Sequence, residues 1–213
     1  MIHFEGSVSR HTFRVEGKIC LPKGSEGVLL GDNGSGKTTF LETIAGLLRL
    51  DSGELRLGDR LVDRPADRVF LPPRLRRIGY LPQENLLFPW LTLEENIRFA
   101  RRCQGKSTED GSVERWLAVL ELERLAKRYP HQVSGGQARR AALARALAGE
   151  PEILLLDEPY AGLDDRGRGE FDEAMASRLR EYSGTVLIAL HRIEDAPNCD
   201  HIFVIEDGQI RPG

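Results

Sequence analysis

Two hydrophobic periods alternate along the chain. Ile2-His3-Phe4 and Thr12-Phe13-Arg14-Val15 alternate apolar and polar positions and are broken by Gly6 and Gly17, which predicts two antiparallel strands at a sheet edge. Gly27-Val28-Leu29-Leu30, Ile153-Leu154-Leu155-Leu156 and Thr185-Val186-Leu187-Ile188-Ala189-Leu190 are apolar on both faces. Such runs suit central strands of a parallel sheet covered by helices on both sides. Ile78-Gly79-Tyr80-Leu81 reads as a further buried strand, halted by Pro82. Asp51-Ser52-Gly53 turns the chain into a short-strand region reaching about Leu61, followed by a polar loop rich in proline and arginine that ends in Leu71-Pro72-Pro73. Ile202 to Ile205 and Gln209-Ile210 form a closing hairpin around Asp207-Gly208.

The helical period dominates elsewhere. Thr92 stands at an N-cap with Glu95 three residues on, a capping-box pattern ahead of Ile97, Phe99 and Ala100. Val113, Trp116, Leu117, Leu120 and Leu122 recur near helical spacing and read as packing, with a solvated loop from Gly105 to Gly111 before them. An alanine-rich helix opens near Ser134 and stops at Gly149, and another covers roughly residues 167 to 181. The chain therefore predicts one α/β domain over residues 1–213. Its mostly parallel core and N-terminal antiparallel β part take about residues 1–84 and 150–213, and an inserted helical subdomain takes 85–149.

Composition narrows the class only a little. A length of 213 residues supports a full hydrophobic core, and a net charge of −3 speaks against a broad nucleic-acid surface. Cys20, Cys103 and Cys199 are far apart and odd in number, against a disulfide framework or a metal cluster; they read as buried or incidental thiols of a reducing cytosol. MIHFEGSVSR lacks a signal-peptide core, and nowhere do 18 apolar residues run together. Any membrane role is expected to come through a partner.

The chemistry sits in Gly31 to Thr39, GDNGSGKTT, between an apolar strand and the helix beginning with Phe40-Leu41. Strand, G-x-x-x-x-G-K-[ST] and helix in that order is the phosphate loop. Gly34 and Gly36 let backbone N–H groups turn into one concavity, and the opening helix adds the positive end of its dipole. Asn33, Ser35 and Thr39 complete the cradle; Lys37 would reach the β- and γ-phosphates and Thr38 would ligate Mg²⁺. Gly31, Gln83, Asp157, Glu158 and His191 each follow a predicted strand, at the edge where open α/β sheets bind ligands. Asp157 would hold Mg²⁺ through water, and Glu158 could polarise an attacking water.

Ser134-Gly135-Gly136-Gln137 opening a helix, Asp157-Glu158-Pro159 after a strand, Ala161-Gly162-Leu163-Asp164 and then His191 complete the series begun by the phosphate loop and Gln83. In that order the chain resembles the nucleotide-binding subunit of ABC transporters, a P-loop NTPase fold, across essentially its whole length. The resemblance implies a head-to-tail pair of copies closing two ATP molecules between the phosphate loop of one and Ser134-Gly135-Gly136 of the other. It further implies that Gln83 contacts Mg²⁺ or the attacking water, His191 holds the γ-phosphate, and Asp164 couples the sites across the seam. Three departures stand out: Val133 where leucine is usual, Ala161 where serine is common, and Ser9-Arg10-His11 where the family carries an adenine-stacking aromatic. Phe13 is either the substitute or core, and His11 or Arg10 could also stack.

Leu71 to Phe99, LPPRLRRIGYLPQENLLFPWLTLEENIRF, is similar to the bacterial importer branch, especially subunits for molybdate, sulfate or thiamine. Leu86-Leu87-Phe88-Pro89-Trp90 falls where that family receives the permease's coupling helix, its alternative being core of the helical subdomain. The expected partners are a second copy, integral-membrane permease subunits and an extracytoplasmic substrate-binding protein, with no nucleic acid, at the cytoplasmic face of the plasma membrane. An exporter subunit or a soluble ABC ATPase is the alternative. No C-terminal regulatory domain is expected after Pro212-Gly213.

Overall fold

The computed structural model describes residues 1–161, 163, 169, 182–196 and 199–213. The helix predicted over 167–181 falls almost wholly outside the described residues, as do Gly162 and Asp164. The described strands are β1 (Ile2–Arg10), β2 (Phe13–Leu21), β3 (Glu26–Leu30), β4 (Ser52–Leu57), β5 (Arg60–Arg64), β6 (Val69–Phe70), β7 (Ile78–Leu81), β8 (Ile153–Asp157), β9 (Thr185–Leu190), β10 (His201–Glu206) and β11 (Gln209–Pro212). The described helices are α1 (Lys37–Ala45), α2 (Leu93–Cys103), α3 (Ser112–Val119) and α4 (Gly135–Ala148).

These strands join one sheet in the order β6-β5-β4-β1-β2-β11-β10-β3-β9-β8-β7. The neighbours β10, β3, β9 and β8 pair in parallel, while β1, β2, β4, β5 and β6 pair antiparallel. The expectation that β1 and β2 lie at an edge is corrected: β4 and β11 flank them, pairings made by residues far away in sequence. Gly6 and Gly17 do not break these strands either. Gly6 pairs with both Gly17 and Gly53, and a Cβ there would collide with the Ser52 carbonyl, so the glycine permits a close backbone approach inside the sheet. β3, β8 and β9 supply the fully buried centre, with Leu29, Leu155, Leu187 and Ala189 in one apolar cluster with Phe40, Leu41 and Ile44 of α1.

Two compact units divide the chain: residues 1–80, 153–158 and 184–213, and residues 81–152 with the described part of 159–183. In the second unit α2 opens on the expected capping box, with Thr92 N–H donating to Glu95 (2.8 Å) and Glu95 N–H to the Thr92 hydroxyl (3.3 Å). α4 stops at Gly149 as expected, but not through a left-handed glycine. Gly149 keeps φ −70°, and Glu150 takes the left-handed turn at φ +51°. Its carboxylate is held by Lys106 and by the buried Arg101 at 3.1 Å, which compensates for the strained backbone. Cys20 and Cys103 are exposed rather than buried, and Cys199 is half-buried. Among the described residues no helix is long and apolar enough to cross a membrane.

α1 is anchored at its far end by a side chain that local pattern does not reveal. Arg76, with no exposed surface, donates to the carbonyls of Thr43 (2.8 Å), Ile44 (2.9 Å) and Leu71 (2.7 Å) and stacks over Phe70. Thr43 and Ile44 lie in the last turn of the helix, whose carbonyls lack intrahelical partners, and the Thr43 carbonyl also accepts from the Gly46 N–H (3.1 Å). Burial pushes the guanidinium pKa down to about 10, against the nearby Asp63 charge, so Arg76 stays a cation at neutral pH. Replacing Arg76 with Ala should lower unfolding stability by about 3–5 kcal/mol, because the Ile44 and Leu71 carbonyls lose a buried donor and the buried Asp63, which keeps the Leu50 N–H, loses its ion-pair partner. Urea unfolding checks this; a loss below about 1 kcal/mol contradicts the anchor.

Candidate functional site

The register of three parallel strands brings the predicted residues of the first unit to one edge. Leu30 pairs with Leu190 and Asp157 with Ala189, so Gly31, Glu158 and His191 follow strands that end level with one another. The Gly31 N–H donates to the Leu190 carbonyl (3.2 Å) and the Glu158 N–H to the Ala189 carbonyl (3.0 Å), stitching these exits together. His191 is exposed at that edge.

The loop then turns into α1. Ser35 N–H closes a turn onto the Asp32 carbonyl (3.1 Å), and Gly36 caps the helix at φ +108°. No other residue suits position 36: a Cβ there would lie 2.5 Å from Val15 and 2.9 Å from the Phe13 ring. Phe13 is partly buried and packed against the core. His11, at φ +55°, is exposed on the β1–β2 turn, and Arg10 is engaged with Glu42 at 2.6 Å. Ser35 is 8% exposed, and its hydroxyl has no hydrogen-bond partner among the described residues. A cleft of about 440 Å³ runs past Asp32–Ser35 to Ile205, Glu206 and Asp207. The backbone amides ahead of α1 are a candidate anion seat.

Lys37 is the cation of this seat, and it is buried at 4% exposure. Its Nζ donates to the Gly31 (2.8 Å) and Asp32 (3.0 Å) carbonyls and lies 3.2 Å from Glu158 Oε1. Glu158 itself holds φ +44°, a left-handed conformation that costs on the order of 1–3 kcal/mol and tends to occur where function demands it. Beside it Asp157 is 1% exposed and receives hydrogen bonds from the Thr38 hydroxyl and from Tyr80 Oη (3.3 Å). Sequence pattern had placed Tyr80 as strand packing only. The donor set suits Mg²⁺: the Thr38 hydroxyl and Asp157 carboxylate already meet, and both are hard oxygen ligands.

In the second unit, Ser134 and Gln137 close a reciprocal cap on α4, with Gln137 N–H donating to the Ser134 hydroxyl (3.3 Å) and Ser134 N–H to Gln137 (3.0 Å). Ser134 and Gly135 are exposed. Gln83, also exposed, follows β7. Its carbonyl accepts from Arg139 of α4 (3.0 Å), which is 1% exposed and also donates to the Pro82 (2.6 Å) and Pro159 (3.0 Å) carbonyls. Arg145, three α4 residues nearer the C-terminus than Ala142, donates to the carbonyls of Leu86 (2.6 Å) and Asn85 (3.1 Å). The next segment is aromatic and open to solvent: Trp90 is 70% exposed, 5.5 Å from Phe88, whose ring is 4.8 Å from Phe99. Asn96, fully buried, fixes it by accepting from Phe88 N–H (2.8 Å) and donating to the Phe88, Leu91 and Thr92 carbonyls. Asp164 lies outside the described residues.

Burial raises the Asp157 carboxyl above the usual carboxylate range, helped by the Glu158 charge and opposed by Thr38, Tyr80 and Lys37. A carboxyl raised on folding adds stability in full below its unfolded pKa and loses it as pH climbs through the folded value. Ionised Asp157 therefore weakens the ligand-free protein at neutral pH. Replacing Asp157 with Asn should raise the ligand-free melting temperature at pH 8 by about 2–4 °C, the shift about 1 kcal/mol produces at this size, with the gain shrinking toward pH 4. A lower melting temperature at pH 8 contradicts this.

Residues 16–161 match the family described as "ABC transporter". Over 204 residues the chain is 39% identical to the molybdenum import ATP-binding protein ModC of Mycobacterium tuberculosis, covering 92% of this chain and 55% of that one. It is 41% identical over 199 residues to the sulfate/thiosulfate import ATP-binding protein CysA of Vibrio vulnificus, with 90% and 56% covered. The chain thus spans about half the length of the curated relatives it matches. A dimeric ATP-binding cassette solved in a post-hydrolysis state with ADP and Pi superposes at TM-score 0.81 and 26% identity, covering 100% of this chain and 98% of that one. With the phosphate loop, the Asp157-Glu158 strand end and the Ser134–Gln137 helix cap in place, the chain belongs to the ABC transporter family and has its P-loop ATPase fold.

Proposed function

We propose that the chain is the ATP-hydrolysing subunit of a bacterial importer, peripheral at the cytoplasmic face of the membrane, powering a separate permease. The observation that supports this is the level ending of β3, β8 and β9, the strands that Gly31, Glu158 and His191 follow, together with the 3.2 Å contact of Lys37 with Glu158. An arriving triphosphate offers Lys37 a stronger partner than Glu158, so binding frees the Glu158 carboxylate to orient and polarise water. Thr38 and Asp157 would hold Mg²⁺, with Gln83 a further ligand, and the ion would neutralise charge developing on the β- and γ-phosphates. His191 donates to the γ-phosphate. Phosphoryl transfer needs little more than positioning and electrostatics.

A second copy completes the site. Ser134, Gly135 and Gly136 of the twin present a hydroxyl and amides at the N-terminus of α4, a suitable cap for a γ-phosphate, and Asp164 couples the two seats across the seam. The solved cassettes described as dimeric support this arrangement. The cluster of half-buried Phe88 with exposed Trp90 and Phe99 is the proposed permease contact, because an aromatic anchor on a segment held by a fully buried Asn is the kind of residue that dominates an interface. A substrate-binding protein outside the membrane acts through that permease. The two named relatives, one described for molybdenum and one for sulfate/thiosulfate, are 39% and 41% identical to this chain, which supports a choice of cargo made outside the cassette.

Replacing Glu158 with Gln should trap a nucleotide-bound dimer in Mg-ATP, since the phosphate seat survives while water activation is lost. Light scattering after gel filtration reads this, in the presence of the permease where assembly needs it; a variant that turns over at the wild-type rate contradicts the role. Replacing Trp90 with Ala should leave ATP affinity unchanged while lowering permease capture by about 10-fold or more, the range of a hot-spot truncation. Wild-type capture and transport would remove Trp90 from the interface.

A further inference from the structure

We propose that Tyr80 is a positioning residue for the metal side of the phosphate seat, its phenol fixing the Asp157 carboxylate in the orientation in which that carboxylate and Thr38 hold Mg²⁺. The inference rests on the reading of Asp157 and Thr38 as the groups that hold the ion. Asp157 ends β8 with 1% of its surface exposed, where water cannot orient it. β7 lies beside β8 in the sheet, and from it Tyr80 Oη reaches Asp157 Oδ2 at 3.3 Å. The Tyr80 ring is partly buried and packed on the apolar cluster beneath the sheet, so the hydroxyl is carried on a rigid two-torsion arm rather than a flexible one.

The directions of the bonds are consistent with this task. A phenol donates at neutral pH, and burial together with the Asp157 and Glu42 carboxylates keeps its proton in place. Glu42 is in turn paired with Arg10 at 2.6 Å. Thr38 has a single proton, which it gives to Asp157, leaving its oxygen lone pairs for a cation. Tyr80 therefore holds one carboxylate oxygen from the sheet side while Thr38 approaches from the first turn of α1. Hydrogen-bonding partners of metal ligands commonly set metal affinity by about 10–100-fold.

Tyr80→Phe removes the hydroxyl and keeps the ring, and Tyr80→Met is a second variant that fills the strand without donating. A fluorescent ATP analogue is bound to each purified protein while Mg²⁺ is titrated, and binding is repeated in EDTA. The Mg²⁺ concentration at half-saturation should rise about 10-fold in both variants, with affinity in EDTA within about 2-fold of wild type. Electron paramagnetic resonance of Mn²⁺ in the same complex should show a correspondingly weaker bound signal. A Mg²⁺ midpoint unchanged in Tyr80→Phe, or a loss of nucleotide affinity equal with and without the ion, overturns the proposal and leaves Tyr80 as packing. Asp157→Asn separates the two levels. If it too leaves the midpoint unchanged, the metal reading itself fails; if it shifts the midpoint and Tyr80→Phe does not, only the role of Tyr80 fails.

Discussion

One buried ammonium organises the site. Lys37 is withdrawn from solvent, bound to two carbonyls of its own loop and set 3.2 Å from Glu158. A buried lysine charge is tolerable only with such partners, so the loop in its ligand-free form is folded around its own cation. In the proposed reading, a polyphosphate would replace these carbonyls and this carboxylate with oxygens of higher charge. The residue released is the one whose backbone is strained at φ +44°. On that proposal, binding and activation would be two faces of one exchange of partners.

The proposed exchange sits at the ends of a buried frame. β3, β9 and β8 are buried on both faces and end level, so Gly31, His191 and Glu158 have little freedom of position. α1 is held at its start by the left-handed Gly36 over Phe13 and at its end by Arg76. In the second unit the same device recurs with other residues. Arg139 and Arg145 spend their donors on backbone carbonyls of 82–86, and Asn96 on those of 88–92, so that exposed Gln83 and Trp90 stand on a fixed main chain. Burial lowers the Arg145 pKa, the cost that goes with such an anchor.

Much of this was legible in the residues because the signals are local. A phosphate loop between a strand and a helix, an apolar run ending in Asp157-Glu158 and a capping box at Thr92 are each written within about ten residues, and each lies where expected. What escaped is non-local. The interior place of β1 and β2 is made by β4 and β11, one of them at the far end of the chain, and Gly6 is a crossing point rather than a break. Tyr80, Arg76 and Arg139 look like an ordinary strand aromatic and two surface charges, because their partners lie 77, 33 and 57 positions away. Glu150 usurped the turn of Gly149 through ion pairs with Arg101 and Lys106, which no propensity anticipates.

The exchange at Lys37 is open to direct inspection. A crystal structure of the wild-type chain with Mg²⁺ and a non-hydrolysable ATP analogue gives the position of Nζ against both partners. The account predicts Nζ within about 3 Å of a β- or γ-phosphate oxygen and more than about 4 Å from the Glu158 carboxylate, the limit for an ion pair. An analogue bound in the loop with Lys37 still holding Glu158 would contradict it.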